Sequence, residues 1–259
     1  MRIIRYQVED QPPCFGWEAD GKVGSLSASP LGLYRRLELE HELSKVQLLP
    51  PILPGKIVAV GCNYPLHSDE QSEKIPEIPI LFLKPLSAVI GPGDVIQLPP
   101  QSQHVEYGAE LAVVIRKGGR WIRAQNALQH VLGYTIANDV TARDLQQRDQ
   151  QWTRAKGFDT FCPIGPIIET ELDIADLLIT CRVNGEMRQM ASTKEMVFSI
   201  PQLIAFVSSV MTLNAGDMIM TGTPAGVGEL NDGDLLESEI EGIGILRNAV
   251  TSQSSIPPP

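Results

Sequence analysis

The sequence predicts a strand-rich α+β fold, and three observations carry that expectation. Short apolar or alternating runs bounded by Gly, Pro, Asn and Asp recur along the chain, among them "ILFLKP", "DVIQLP", "EYGAELAVVI", "VLGYTIAND" and "GPIIE". Helical spacing is confined to a few stretches. Strands and helices do not alternate regularly, so a doubly wound parallel sheet is not expected.

Taken in order, residues 1–53 read as a small N-terminal domain with strands at "RIIRYQV", "CFGWEA" and "KVGSLS" and a short helix at "LYRRLELEHEL". The proline-rich "LLPPILPGK" marks its boundary. Residues 54–250 form the larger domain, which opens on the strand "KIVAVGCNY". Pro65 suits the first turn of a short helix over "NYPLHSDE". The stretch "TARDLQQRDQQWTRAK" predicts one polar helix, with Thr141 and Asp144 spaced as a capping box. "SIPQLIAFVSSVM" has helical apolar spacing, and "VNGEMR" reads as a hairpin through Asn-Gly. The tail, residues 251–259, reads as disordered.

Composition narrows the function. The chain has 259 residues, a formal net charge of −10 and no basic cluster, which argues against nucleic acid and anionic membranes as partners. An anionic substrate would need a local positive site, and a bound metal is one way to supply it. The four cysteines, Cys14, Cys62, Cys162 and Cys181, lie far apart and read as free thiols of a reducing compartment. The opening residues carry acids and prolines rather than a leader pattern, and no apolar run reaches the roughly 18–20 residues of a membrane span. A cytoplasmic protein is expected.

Strand alternation places His104, Glu106, Gly108 and Glu110 of "HVEYGAEL" on one face. Glu110 sits inside an apolar strand, and Asp139 ends another. Carboxylates converging from strand ends suit a hard divalent cation such as Mg²⁺ or Ca²⁺; the bland alternatives are an edge-strand surface acid and a helix-initiating aspartate. His67 and Glu70 are three apart on one helical face, where a glutamate can orient a histidine for acid–base work. Lys156 in "RAKGFDTFCPIGP" reads either as a solvated lysine or as one that meets a substrate carboxylate, and the Thr/Gly/Pro loop "TGTPAGVG" either as a structural turn or as a donor of backbone N–H groups to an anion. No Rossmann or P-loop fingerprint occurs.

Together, "VAVGCNYPLHSDE", "PILFLKPLSAVIGPGD", "EYGAELAVVI", "GYTIANDVTARDLQ", "KGFDTFCPIGP", "VNGEMRQ" and "LNAGDMIMTGTPAGVG" resemble the fumarylacetoacetate hydrolase family, in order and spacing, from about residue 56 to 248. The resemblance implies a mixed β-roll, a homodimer or larger assembly, and Mg²⁺ or Mn²⁺ acting on 2-oxo or 2,4-dioxo acids such as acylpyruvates, fumarylpyruvate or oxaloacetate. It implies hydrolytic C–C cleavage, decarboxylation or keto–enol tautomerisation. By the same resemblance Glu110 and Asp139 are metal ligands, and Lys156 contacts substrate. His67 and Glu70 form an acid–base dyad, and Arg143, Gln146 and Thr223 bind substrate. The short lid stretch "HSDEQSEKIPE" favours compact substrates.

One metal position departs from the pattern: Gly108 stands where the family carries a first glutamate. Glu106 is the nearest substitute, but four residues of regular strand put its Cα about 13 Å from that of Glu110, too far for two short carboxylate arms on one ion. A bulge at the glycine would shorten the gap, or water would fill the position. A third reading is a weakened relative, or a deliberate substitution. The second function class is therefore a metal-poor, inactive member that binds a ligand or acts as a scaffold.

Overall fold

The computed structural model describes residues 1–70 and 74–253. Its core is a twelve-stranded sheet, and the centre of that sheet runs Cys162–Glu169, Val131–Asn138, Ala109–Ile115, Met218–Met220, Ile57–Gly61, with Ile80–Lys84 at the edge. Pairing is mostly antiparallel; Met218–Met220 beside Ile57–Gly61 is a parallel pair. A five-stranded sheet, Glu186–Ser192, Leu178–Val183, Leu235–Ile240, Gly244–Ser252 and Val95–Leu98, lies alongside. Every residue of Ala109–Ile115 is buried, as expected of a near-continuous apolar strand covered on both faces. That makes Glu110 a carboxylate inside the core.

The first fifty residues extend the same large sheet. Arg2–Gln7 joins Cys162–Glu169 through the Arg2↔Glu169 pairing, and Cys14–Ala19, Lys22–Leu26 and Arg36–Glu42 follow outward. The expected helix over "LYRRLELEHEL" is instead the strand Arg36–Glu42. It pairs with Lys22–Leu26, and its free edge presents charged residues, a common way to blunt a sheet edge.

The Asn184-Gly185 hairpin forms with both residues at positive φ, 53° and 79°. The helix Ile200–Val210 buries Ile200, Leu203, Ile204 and Val207, and Gln202 Oε1 accepts the Ser199 N–H at 2.8 Å.

Two further expectations change. The polar helix divides into Arg143–Asp149 and Thr153–Lys156, with Gln150 at φ 60° between them. Thr141 does not cap it: Thr141–Ala142 is a strand paired with Val105–Glu106, and the Thr141 hydroxyl serves the site described below. Thr251 and Ser252, expected in the tail, pair with Gln97 and Leu98, while residues 254–259 lie outside the described residues. Cys14, Cys162 and Cys181 are free thiols, as expected. Among the described residues no helix is long and apolar enough to cross a membrane.

Candidate active site

Strand ends and loops converge on one polar cavity. The strand Ala109–Ile115 carries Glu110 into it, and the end of Val131–Asn138 carries Asp139. The two short helices supply Arg143, Gln146 and Lys156, and the helix Pro65–Glu70 supplies His67 from across the cavity. Thr223 comes from the loop after Met218–Met220.

Asp139 is the electrostatic centre. Lys84 Nζ donates to its Oδ1 at 2.6 Å, and Lys156 Nζ donates to its Oδ2 at 2.5 Å. Burial opposes its ionisation, but the two ammoniums outweigh burial and hold the carboxyl at about 2. Lys156 also donates to Thr141 Oγ1 at 2.8 Å, and Thr141 in turn donates to the Asp139 carbonyl at 3.0 Å. The rings of Phe82 and Trp152 back the Lys156 ammonium at 4.8 and 5.9 Å. Burial pulls the Lys156 pKa down even against the attraction of Asp139.

Glu110 is 1% exposed, and among the described residues its carboxylate takes one hydrogen bond, from the Gly222 N–H at 2.8 Å. Burial first, and then the nearby Asp139 charge, push its pKa up to about 8. Gly108 lines the cavity without a side chain; its N–H donates to Asn138 Oδ1, and its carbonyl accepts the Asp139 N–H.

His67 Nδ1 faces Glu70 Oε2 at 3.3 Å, so the expected dyad is together. Burial, joined by the positive charges of Arg143 and Lys156, lowers the His67 pKa against the pull of Glu70. Glu70 lies at the cavity's outer side, where both its oxygens accept the Gly226 N–H at 3.2 Å. Residues 71–73 of the expected lid stretch lie outside the described residues.

Glu106 is the correction. The strand face expected to carry Glu106 and Glu110 together is interrupted, because Val105–Glu106 pairs with Thr141–Ala142 while Ala109–Ile115 pairs with Val131–Asn138. Tyr107, between them, lines the cavity and donates its hydroxyl to the Gly226 carbonyl at 3.0 Å. Glu106 is turned away and spends its carboxylate on Arg143 and His104. It does not stand in for the missing ligand.

The donor set can be tested against a divalent ion. Glu110 and Asp139 are two hard, buried carboxylates on one cavity, and Glu110 has spare acceptor capacity there. Among the described residues no group of three His, Cys, Asp or Glu side chains converges. Two carboxylates suffice for Mg²⁺ when water and substrate oxygens complete the shell, so the residues fit a seat one ligand short of the three carboxylates of the family pattern.

Sequence reasoning missed Lys84. A lysine closing the strand "ILFLK" reads as a solvated end, yet Lys84 is 2% exposed and holds Asp139. It also missed Gln189, whose Nε2 donates to Thr223 Oγ1 at 2.9 Å while its Oε1 accepts the Ala109 N–H at 3.0 Å. Nothing local to "MRQMA" signals that role.

Comparison with known proteins identifies the family. The profile of the fumarylacetoacetate (FAA) hydrolase C-terminal region matches residues 56–251, and that of the Rv2993c-like N-terminal region matches residues 1–51. An uncharacterized protein of Archaeoglobus fulgidus is 57% identical over 209 residues, 81% of this chain and 84% of that one. The mitochondrial oxaloacetate tautomerase FAHD2A of Homo sapiens is 48% identical over 220 residues, 80% of this chain and 70% of that one. The crystal structure of 2-hydroxyhepta-2,4-diene-1,7-dioate isomerase from Mycobacterium marinum superposes with a TM-score of 0.91 at 41% identity, over 98% of this chain and 100% of that one. Matching profile, close relatives and shared fold lead to one conclusion: this chain belongs to the fumarylacetoacetate hydrolase family of enzymes.

Proposed function

We propose that the chain catalyses keto–enol tautomerisation of a small 2-oxo dicarboxylic acid of the oxaloacetate type. The observation that carries the reading is the composition of the cavity: Lys156, Arg143, Gln146 and Thr223 face the same space as His67, whose pKa burial lowers. Positive and hydrogen-bonding groups suit the two carboxylates, and a neutral imidazole suits proton transfer near pH 7. The likeness to an oxaloacetate tautomerase and to a dienedioate isomerase supports the same class of reaction.

The chemistry asked of the residues is modest. In the keto-to-enol direction the C3–H bond breaks and its electron pair forms the C2–C3 double bond. His67 accepts the proton at Nε2, since Nδ1 faces Glu70. The carbonyl π pair moves onto O2, which then receives the same proton from His67, so no atom enters or leaves. Lys156 stabilises the negative charge that develops on O2, and Arg143 holds a carboxylate. Mg²⁺ or Mn²⁺ is part of the proposal: Glu110 and Asp139 would hold it, and when bound it supplies polarisation of the 2-oxo group.

The test follows the ultraviolet band of enol-oxaloacetate with Mg²⁺ and with Mn²⁺. Pyruvate release reports decarboxylation, and cleavage of acetylpyruvate reports hydrolysis. Faster decay of the enol band without pyruvate is expected. Pyruvate release at the same rate would replace the tautomerase with a decarboxylase. No turnover of any of these acids would leave the scaffold reading in its place.

A further inference from the structure

Glu106 is an acid beside the cavity that the mechanism does not use; it is 8% exposed, and among the described residues its carboxylate is held by Arg143 and His104. We propose that Glu106 is a positioning residue that sets the Arg143 guanidinium to receive a substrate carboxylate. The inference rests on the reading of the cavity as a 2-oxo-acid site.

The geometry is specific. Glu106 Oε2 accepts from Arg143 Nε at 2.7 Å and stands 2.6 Å from one terminal guanidinium nitrogen. Gln146 Oε1 accepts from the other terminal nitrogen at 2.6 Å. On the far side Glu106 Oε1 stands 2.8 Å from His104 Nε2. The main chain locks the same unit, because the Arg143 N–H donates to the His104 carbonyl at 2.8 Å. Arg143 and Gln146 line the cavity, and Glu106 does not.

A guanidinium carries five N–H donors. Glu106 and Gln146 use three of them, which leaves one N–H on each terminal nitrogen. Two N–H groups on a planar fork match the two oxygens of a carboxylate. An arginine without these partners would be ordered anew by each substrate molecule, and one already held is not. Holding the arginine helps substrate and transition state alike, so its loss should appear in KM rather than in kcat.

The experiment compares native chain, Glu106→Gln, Arg143→Lys and the double variant at fixed Mg²⁺, with oxaloacetate for turnover and oxalate for calorimetric binding. Circular dichroism checks folding, and Glu106→Asp, whose arm is one methylene shorter and draws the carboxylate back from the guanidinium, is read if Glu106→Gln does not fold. Glu106→Gln is expected to raise KM and the oxalate Kd about tenfold, with kcat within about twofold of native. In the Arg143→Lys background the same substitution should add less than about twofold, because the group it positions is gone. An unchanged Kd in Glu106→Gln overturns the proposal. So does a full additional loss in the Arg143→Lys background, or a fall in kcat at constant KM. If the native chain neither binds oxalate nor turns over oxaloacetate, the reading of the site fails first and takes the proposal with it. If it turns over oxaloacetate while Glu106→Gln matches it, the positioning role alone is lost.

Discussion

Glu106 and Glu110 lie on one short stretch of chain, and the fold surrounds them differently. Glu110 sits in the interior wall, with one backbone N–H as partner and Asp139 as a neighbouring like charge. Glu106 sits at the rim, its carboxylate shared between Arg143 and His104. One acid is short of positive charge, and the other is saturated with it. The difference arises at Tyr107 and Gly108, where the chain leaves one strand pairing and enters another. Which of the two acids faces the cavity is therefore set by strand pairing, and spacing along the chain does not say which.

The interior wall should break hardest. Among the described residues Lys84 and Lys156 share Asp139 as their carboxylate partner, and both ammoniums are buried. Asp139→Asn removes the counter-charge of both. Stranding a buried charge destabilises by about 3–5 kcal/mol. The expected outcome is a lower urea midpoint at pH 7 with an unchanged slope. A loss below about 1 kcal/mol would mean that the two lysines reach water in the folded chain, and the contrast between wall and rim would collapse.

Restoring the missing acid sharpens the contrast from the other direction. Gly108→Glu should tighten Mn²⁺ binding at least tenfold, about 1.4 kcal/mol, read by electron paramagnetic resonance titration rather than by turnover. The substitution is not free of strain. A Cβ at Gly108 would stand 3.1 Å from Thr223 Oγ1 and 3.2 Å from Thr223 Cβ and Cγ2, so Thr223 must give by a few tenths of an ångström. Combining it with Thr223→Ser removes the methyl and serves as the second variant. If both variants fold and neither binds Mn²⁺ more tightly, the wall is not a cation seat.

Much of the scaffold was legible because its signals are local. Alternation marked most strands, Asn-Gly marked the 184–185 hairpin, and 3.6-residue spacing marked the helix Ile200–Val210. Glu110, Asp139, Lys156, Arg143, Gln146, Thr223 and His67 were readable as residue types in a family order, and all of them line one cavity. What stayed hidden depends on partners distant in sequence. Lys84 owes its role to Asp139, 55 residues away. Arg143 and Glu106 are 37 residues apart, and without that pair Glu106 reads as a spare metal ligand. Likewise "RLELEHE" alternates well enough for a strand, but only its pairing with Lys22–Leu26 chooses strand over helix. The polar helix starts later than expected because the Thr141 hydroxyl is committed to Lys156 and the Asp139 carbonyl rather than to a cap, and it splits at Gln150, which takes a φ of 60°.

The smallest expected effect lies at the rim and is read in protons. Glu70 faces His67 from its own helix, and Arg143 and Lys156 act on it from the two short helices across the cavity. Burial and these cations keep its folded pKa below the value of about 6.5 expected for the unfolded chain. As pH falls through that window the unfolded chain takes up the proton first, so stability is lost toward acid. His67→Gln, which cannot take the proton, should lose less stability than native between about pH 7 and about pH 5. The rim acid enters through Arg143: Glu106→Gln removes the counter-charge of the guanidinium, whose field then presses harder on His67. The His67 ring resonances, followed by nuclear magnetic resonance, should therefore titrate at lower pH in Glu106→Gln than in native protein. A titration that does not move would mean that the field of Arg143 does not reach the imidazole, and that rim and proton-transfer site act independently.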